Sequence, residues 1–257
     1  MRVTAGAYTS RGSVRPHNED SFLCAFKPGC GIENGGAEFS GLVDTPLFFL
    51  VADGMGGHDS GDAASAFVIE NMYSASKTAA EEKNNYNEAM LETLIKSIHA
   101  DLIKNGIERG TPKMGTTLSG ILLQKDAPCA FFNAGDSRVY RVRNGFIQQL
   151  SRDDSLSSIV PGAASNIITN AIGAGLQNVK LASRFSPNIA VAEDLFLICS
   201  DGVHGFISSE GFEKMLAEKI NLQESHCLAS AAQQIVETAI ANNSNDNCTA
   251  VVVRIEE

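Results

Sequence analysis

Seven short apolar runs, each bounded by turn residues, limit what this chain can fold into. Their lengths and their content of branched and aromatic residues predict β-strands rather than helices. Asn144 and Gly145 both tolerate positive φ, so they predict a two-residue hairpin between two of the strands. The runs are "LFFLVAD", "TTLSGILLQ", "CAFFNAGD", "SRVYRVRN", "GFIQQLS", "LFLICSD" and "CTAVVVRIE".

Helical periodicity separates these runs at four places, roughly 61–80, 86–109, 208–220 and 225–243. Helix pairs that alternate with hairpin-joined strands predict an α+β fold: two antiparallel sheets packed face to face, with a helix pair outside each. We therefore expect a four-layer α-β-β-α sandwich forming a single domain over residues 1–257. The apolar face of the second helix is predicted from Met90, Leu91, Leu94, Ile95, Ile98, Leu102 and Ile103.

Composition excludes several classes of protein. The chain has no apolar run of membrane-spanning length and no signal-peptide core near its N-terminus, so a cytoplasmic protein is expected. Its formal net charge of −10 argues against nucleic acid or an anionic membrane as the main partner. The six cysteines are scattered without a C-x-x-C pair, which predicts reduced core thiols rather than a zinc site or disulfides.

The stretch "VADGMGGHDSGDAAS" carries an aspartate, Asp53, at the end of an apolar run and then several glycines. It lacks the lysine of a phosphate-binding P-loop, and Asp59 breaks the dinucleotide pattern G-x-G-x-x-G. A strand-end aspartate beside an accessible backbone carbonyl suits a hard cation. A turn followed by a capped helix, with no chemistry, remains the alternative for these residues alone.

Other acidic residues also stand at predicted strand ends. If several strand ends share one end of the sandwich, their carboxylates cannot all stay ionised together without cations. Oxygen ligands without paired His or Cys favour magnesium, manganese or calcium. The residues are Asp53, Asp136, Asp201 and Asp246, with Glu19 and Asp20 just before a further apolar segment.

The order of the motifs "RPHNED", "VADGMGGHDSGDAAS", "MGTTLSG", "NAGDSRVYRVRNG", "LSRDDS", "LFLICSDGV" and "NDNCTAVVV" resembles the metal-dependent type 2C serine/threonine protein phosphatases, particularly the compact bacterial members. The resemblance runs from about residue 5 to about residue 255. It implies the four-layer sandwich, two Mn²⁺ or Mg²⁺ ions in a cleft at one end of the sheets, and hydrolysis of phosphoserine and phosphothreonine by a metal-activated water without a phosphoenzyme.

The resemblance also assigns roles to individual residues. Asp53 would bridge both metals and act with Asp201 and Arg15 in catalysis, and Arg15 would grip the substrate phosphate. Asp136 would hold a third, weaker metal shared with Asp201. The implied metal residues are Glu19, Asp20, Asp53, Gly54 (through its carbonyl), Asp136, Asp201 and Asp246, with Glu19 and Asp20 acting partly through water.

Three features depart from the family pattern. Met55 stands where many eukaryotic members have a histidine, so His58, His17 and a metal-bound water stay open as the acid for the leaving group, while His99 and His204 are expected to be structural. The flap at 152–175 is short and lacks the usual histidine after "RD". The Gly-rich stretch 27–46 is predicted to be an extended hairpin or a loop.

Other function classes stay open at this point. A hydrolase of small phosphoesters would use the same chemistry, and a non-catalytic phosphoprotein-binding module would keep the fold. The implied partners are phosphorylated proteins and a cognate serine/threonine kinase. No nucleic acid and no membrane are expected, and the protein is expected to be a monomer.

Overall fold

The computed structural model describes residues 1–55, 60–160, 167–220 and 228–256, without the side chains of 217–220. Within these ranges the strands are β1 (Arg2–Ser10), β2 (Asp20–Cys24), β3 (Lys27–Gly29), β4 (Asn34–Leu42), β5 (Leu47–Met55), β6 (Gly115–Thr116), β7 (Leu118–Leu123), β8 (Cys129–Ala134), β9 (Arg138–Arg143), β10 (Phe146–Gln149), β11 (Ile172–Gly173), β12 (Ala182–Ser186), β13 (Leu195–Cys199) and β14 (Cys248–Glu256). The helices are α1 (Gly61–Glu82), α2 (Glu88–Glu108), α3 (Asp201–His204), α4 (Ser209–Ile220) and α5 (Leu228–Ala241), and a short 3₁₀ helix covers Leu156–Ser158.

The strands form two sheets. The first has six strands in the order β10-β9-β13-β14-β1-β4. The second has eight strands: β11-β6-β5-β7-β8-β12 form one path, while β2 pairs with the other edge of β5 and β3 pairs with β2. Every pairing recorded between these strands is antiparallel.

Side-chain alternation along the central strands explains why their apolar runs are unbroken. On β5, Phe49 and Val51 pack between the two sheets, whereas Phe48 and Leu50 pack on the outer side with α1 and α2. Successive side chains of a strand point to opposite faces, so a strand that is covered on both faces needs apolar residues at every position. The predicted four-layer α+β sandwich is confirmed.

The outer layers are the two predicted helix pairs. Helices α1 and α2 cover the second sheet, and α4 and α5 cover the first. On α2 the buried apolar positions are Leu91, Ile95, Ile98 and Leu102, as predicted, while Met90 lies outside this face with 42% of its surface exposed. Asn144 and Gly145 adopt φ of 53° and 80° in the predicted hairpin between β9 and β10.

Strand β1 is the main element absent from the sequence prediction. Its sequence "RVTAGAYTS" is rich in small residues because α5 lies directly upon it. A Cβ on Gly6 would come within 2.0 Å of the backbone nitrogen of Ala229 on α5. The close approach needs small side chains, and small side chains weaken the apolar signal of a strand.

The prediction for 27–46 is wrong in detail. Instead of forming one hairpin or a loop, the segment contributes β3 to the second sheet and β4 to the edge of the first. Five cysteines are free, and the sixth, Cys227, lies outside the described residues. Among the described helices, none combines the length and the apolar character needed to cross a membrane.

Candidate metal centre

Strand pairing brings three of the predicted acidic residues together at one end of the sandwich. Asp20 at the start of β2 lies opposite Asp53 near the end of β5. The Asp20 carboxylate accepts a hydrogen bond from the Ser200 hydroxyl at 2.8 Å, and Asp201 follows directly at the start of α3. Besides burial, the charge of Asp201 acts on the Asp53 carboxyl group and raises its pKa, so these two side chains lie close together. The ends of β2, β5 and β13 therefore meet, as the sequence predicts.

Two threonines of the "MGTT" motif hold the backbone of Asp53. The Asp53 amide donates to Thr117 Oγ1 at 3.0 Å. The Asp53 carbonyl accepts from the Thr117 amide at 2.9 Å and from Thr116 Oγ1 at 2.9 Å. Both backbone polar groups of Asp53 are thus bonded, so the strand end that carries its carboxylate has one defined position.

Gly54 lies where three backbone segments meet. Its amide donates to the Glu19 carbonyl at 3.1 Å. A Cβ at this position would lie 2.1 Å from the carbonyl oxygen of Gly61 and 2.6 Å from that of Glu19. Any side chain would push the start of α1 and the backbone of Glu19 away from position 54, so the site needs glycine here. Ligation by the Gly54 carbonyl remains a prediction.

Burial and mutual repulsion favour protonation of the clustered carboxyl groups. Burial raises the pKa of Asp53 well above its ordinary value, and repulsion from Asp20 and Asp201 adds to the effect. Burial likewise raises the pKa of Asp20 to about 7, although hydrogen bonds from Thr249 and Ser200 work against it. Asp136, whose pKa also rises to about 7, is raised first by burial and then by Asp201. Too much negative charge is concentrated here for the fold to hold it ionised on its own.

The chemistry of these donors fits a hard divalent cation. Asp20, Asp136 and Asp201 each have a buried Oδ1 atom without a hydrogen-bond partner. In native proteins such atoms are rare outside functional sites. Across the described ranges, no group of three or more His, Cys, Asp or Glu side chains is arranged so that it could hold a metal ion as it stands. The fit of this site to a divalent cation therefore rests on the carboxylate chemistry, on the concentrated negative charge and on the buried oxygen atoms that lack a hydrogen-bond partner.

Arg15 lies beside the acidic cluster and is paired with one of its members. Its Nη2 atom is 2.7 Å from Asp246 Oδ2, and the two side chains are 45% and 28% exposed. The same residues line a cleft of about 550 Å³ together with Asp136 and Asp201. The guanidinium group of Arg15 therefore lies in the cleft beside the carboxyl groups of the cluster. Asp246 could bind a metal ion only if its ion pair with Arg15 were broken.

The cleft also contains an ion pair that the sequence does not predict, between Arg138 and Asp153. Arg138 donates to Asp153 from Nε at 3.0 Å and from Nη2 at 2.7 Å, and its Nη1 bonds the Tyr140 hydroxyl at 3.0 Å.

His204 Nε2 lies 3.0 Å from the Asp136 carbonyl oxygen. Burial, followed by the nearby Arg138, lowers the pKa of His204 to about 4. A neutral histidine bonded to backbone agrees with the structural role expected for it.

The other histidines are placed differently. His99 is buried and accepts the Gly173 amide at Nδ1 at 3.0 Å, in agreement with a structural role. The His17 side chain is 70% exposed, with Nδ1 4.0 Å from Glu33. His58 lies outside the described residues.

The base of the flap is held by an aspartate where the family pattern has histidine. Asp154 Oδ2 accepts the Gly135 amide at 3.1 Å and the Asn170 amide nitrogen at 2.6 Å. Gly135 directly precedes Asp136, so the flap base is tied to the turn that carries this carboxylate. The flap residues 161–166 lie outside the described ranges.

Comparison with known proteins decides the family. The family model described as protein phosphatase 2C matches residues 37–238. The chain belongs to the protein phosphatase 2C family. The serine/threonine phosphatase stp of Listeria monocytogenes is 29% identical over 260 residues, which cover 95% of this chain and 93% of that protein. The serine/threonine protein phosphatase PstP of Mycobacterium tuberculosis is 28% identical over 97% of this chain and 44% of its own length.

Solved structures of phosphatase 2C relatives have the same fold. The crystal structure of Mycobacterium tuberculosis PstP superposes with a TM-score of 0.77 at 26% identity, covering 100% of both chains. A structure of the PstP catalytic domain in complex with two manganese ions gives a TM-score of 0.75 at 25% identity, again over 100% of both chains.

Proposed function

We propose that this protein hydrolyses phosphoserine and phosphothreonine esters in proteins, using two divalent cations, as a single catalytic domain. The observation that carries the proposal is the convergence of Asp20, Asp53 and Asp201 at one end of the two sheets, with Arg15 beside them. Family membership supports the reaction, and the manganese ions of the related PstP structure support the metal.

Each acidic residue has a proposed part in holding the cations. Asp53 would contact both ions, and the Gly54 carbonyl, Asp201 and Asp246 would complete the set, with Glu19 and Asp20 beyond them. Asp136 would hold a third ion with Asp201. When bound, such ions lower the pKa of water and neutralise phosphoryl oxygens during in-line displacement.

The remaining residues position the substrate and control charge. Arg15 presents a planar fork that matches two phosphate oxygens, and its 45% exposure leaves it accessible from the cleft. When deprotonated, Asp53 and Asp201 would supply the negative charge that holds the cations in place. The hydrogen bonds with Thr116 and Thr117 would keep the backbone of Asp53 in position when its carboxyl group loses its proton.

Turnover of a phosphothreonine peptide with Mn²⁺, with Mg²⁺ and with EDTA tests this proposal. We expect activity with either cation and none in the chelator, with recovery when Mn²⁺ is restored. A phosphorylated sugar and a nucleotide serve as comparison substrates. Full activity in EDTA would contradict the proposed chemistry, and preference for a small phosphoester would favour the alternative hydrolase.

Replacing Arg15 by alanine is expected to raise KM for a phosphopeptide about tenfold and to lower kcat modestly. A phosphate clamp acts in both the ground state and the transition state, so its loss affects both constants. Arg15→Lys, which keeps the charge but loses the fork, should recover only part of the loss. Steady-state kinetics measure the effect, and an unchanged KM would point to another phosphate anchor.

The proposal includes a partner and a state of assembly. Phosphoprotein substrates follow from the relatives named serine/threonine phosphatases, and an opposing serine/threonine kinase would supply them. We propose that the protein works as a monomer, which sedimentation would test. A cytoplasmic location stays a prediction.

A further inference from the structure

The side-chain amide of Asn247 joins two distant parts of the chain. Asn247 is 4% exposed. Its Oδ1 accepts the Glu19 amide at 2.9 Å, and its Nδ2 donates to the carbonyls of Arg11 and His17, both at 2.9 Å. Both hydrogens and the oxygen of the amide are therefore used on backbone atoms of the same loop.

These three bonds bracket the loop 11–19, which has Arg15 at its middle. Hydrophobic packing does not hold this loop, because Val14, its apolar residue, is 66% exposed. Gly12 brings the loop directly onto Asp246, two residues before β14: it adopts φ of +76°, and a Cβ there would lie 2.3 Å from the Asp246 carbonyl oxygen. The position of the loop thus depends on polar contacts. Asp246 and Asn247 make them on one side, and the loop's own Asn18 makes others by donating to Thr9 Oγ1 at 2.7 Å and to the Ile32 carbonyl at 2.8 Å.

We propose that Asn247 is a positioning residue that holds the loop 11–19 so that the Arg15 guanidinium faces the acidic cluster. The inference rests on the proposed role of Arg15 as the phosphate clamp. Positioning matters because a displacement of about 1 Å in a group that grips a reacting phosphate can cost on the order of a hundredfold in rate. Asn247 acts through the backbone and leaves substrate contact to Arg15.

The chain contains a matched control for Asn247. Gln124 is 3% exposed; it accepts the Tyr86 amide at 2.6 Å and donates to the carbonyls of Tyr86 and Pro128 at 3.0 and 2.8 Å. It makes the same three kinds of bond at the end of β7, outside the residues that line the cleft. Gln124→Ala therefore reports the general cost of losing such an amide.

Hydrogen exchange of the metal-free protein tests the positioning without any catalysis. The amides of Arg11 and Asp20 keep their own acceptors, the Glu33 carbonyl and Asn18 Oδ1, when Asn247 is changed. We expect Asn247→Ala to speed exchange of both amides at least tenfold, while Gln124→Ala leaves them at the wild-type rate. Wild-type rates in Asn247→Ala would overturn the inference.

A double-mutant cycle with Arg15→Ala then tests whether the effect reaches Arg15. We expect Asn247→Ala alone to raise KM for a phosphopeptide about tenfold, and to add less than twofold when Arg15 is already alanine. Multiplicative losses would overturn the inference. If Arg15→Ala alone leaves KM unchanged, the clamp assignment in the proposed function fails, while hydrogen exchange still decides whether Asn247 holds the loop.

Gly12→Ala provides the same test from the loop side if Asn247→Ala does not fold. Gly12 belongs to a surface loop, so its replacement should leave both sheets intact, yet the added Cβ must push the loop off the Asp246 carbonyl. We expect faster exchange at Arg11 and a higher KM with Asn247 still present. Wild-type behaviour in both measurements would contradict the inference.

Discussion

Replacing Asp53 by asparagine is expected to lower kcat on a phosphopeptide at least a thousandfold, which is about 4 kcal/mol in the barrier. Asp53 is the carboxyl group whose pKa is raised by burial and by the charges of Asp20, Asp201 and Asp136 together, so we expect it to contact more than one cation. Asparagine keeps the size of the side chain but removes the negative charge. Its backbone bonds to Thr116 and Thr117 should hold the variant in the native position, so the loss reports charge rather than misfolding.

Asp194→Asn is the matched control for this prediction. Asp194 is a buried aspartate, 1% exposed, that pairs with Arg143 at 2.6 Å, away from the residues lining the cleft. Its replacement should lower the thermal midpoint while kcat stays within about twofold of wild type. Calorimetric titration with Mn²⁺ should show weakened binding in Asp53→Asn only. Activity of Asp53→Asn within about tenfold of wild type would show that the site is misplaced.

Much of the site could be predicted because its residues stand at the ends of strands with a clear apolar signal. The runs before Asp53 and Asp201 and after Asp246 are solid, since β5, β13 and β14 are covered on both faces. A strand end can be located from such a run alone. The order of helices and strands predicts two sheets packed face to face. In that arrangement these strand ends lie at the same end of the sandwich.

What escaped prediction depends on contacts between distant residues. Strand β1 gives little apolar signal because α5 requires Gly6 and its small neighbours there. Asn247 contacts Glu19 across 228 positions in the sequence, and no local pattern indicates such a bond. Arg138 and Asp153 form their bidentate pair only after the chain has returned through β10. Such pairs follow from the assembled sandwich, whereas periodicity and turn residues describe one segment at a time.

In the metal-free protein, Asp136→Asn is expected to increase stability, and to do so more at higher pH. The Asp136 pKa is raised from 3.8 in the unfolded chain to about 7 in the fold, mainly by burial. Its contribution to stability is therefore fully present below about pH 4 and is lost as the pH rises through about 7. At pH 8 the buried charge costs on the order of 4 kcal/mol, which asparagine would avoid.

Urea unfolding in EDTA at pH 4, 6 and 8 measures this effect as the difference between the two proteins. The difference should be near zero at pH 4 and should grow to about 2–4 kcal/mol in favour of Asp136→Asn at pH 8, because the amide still has an unsatisfied buried oxygen. Asp194→Asn, which breaks the bond to Arg143, should be destabilised throughout. A difference that does not depend on pH would mean that Asp136 is ionised in the metal-free fold without cost. A stability difference that increases with pH would instead mean that the carboxylate destabilises the metal-free fold. Such a cost is expected of a group whose negative charge serves cation binding.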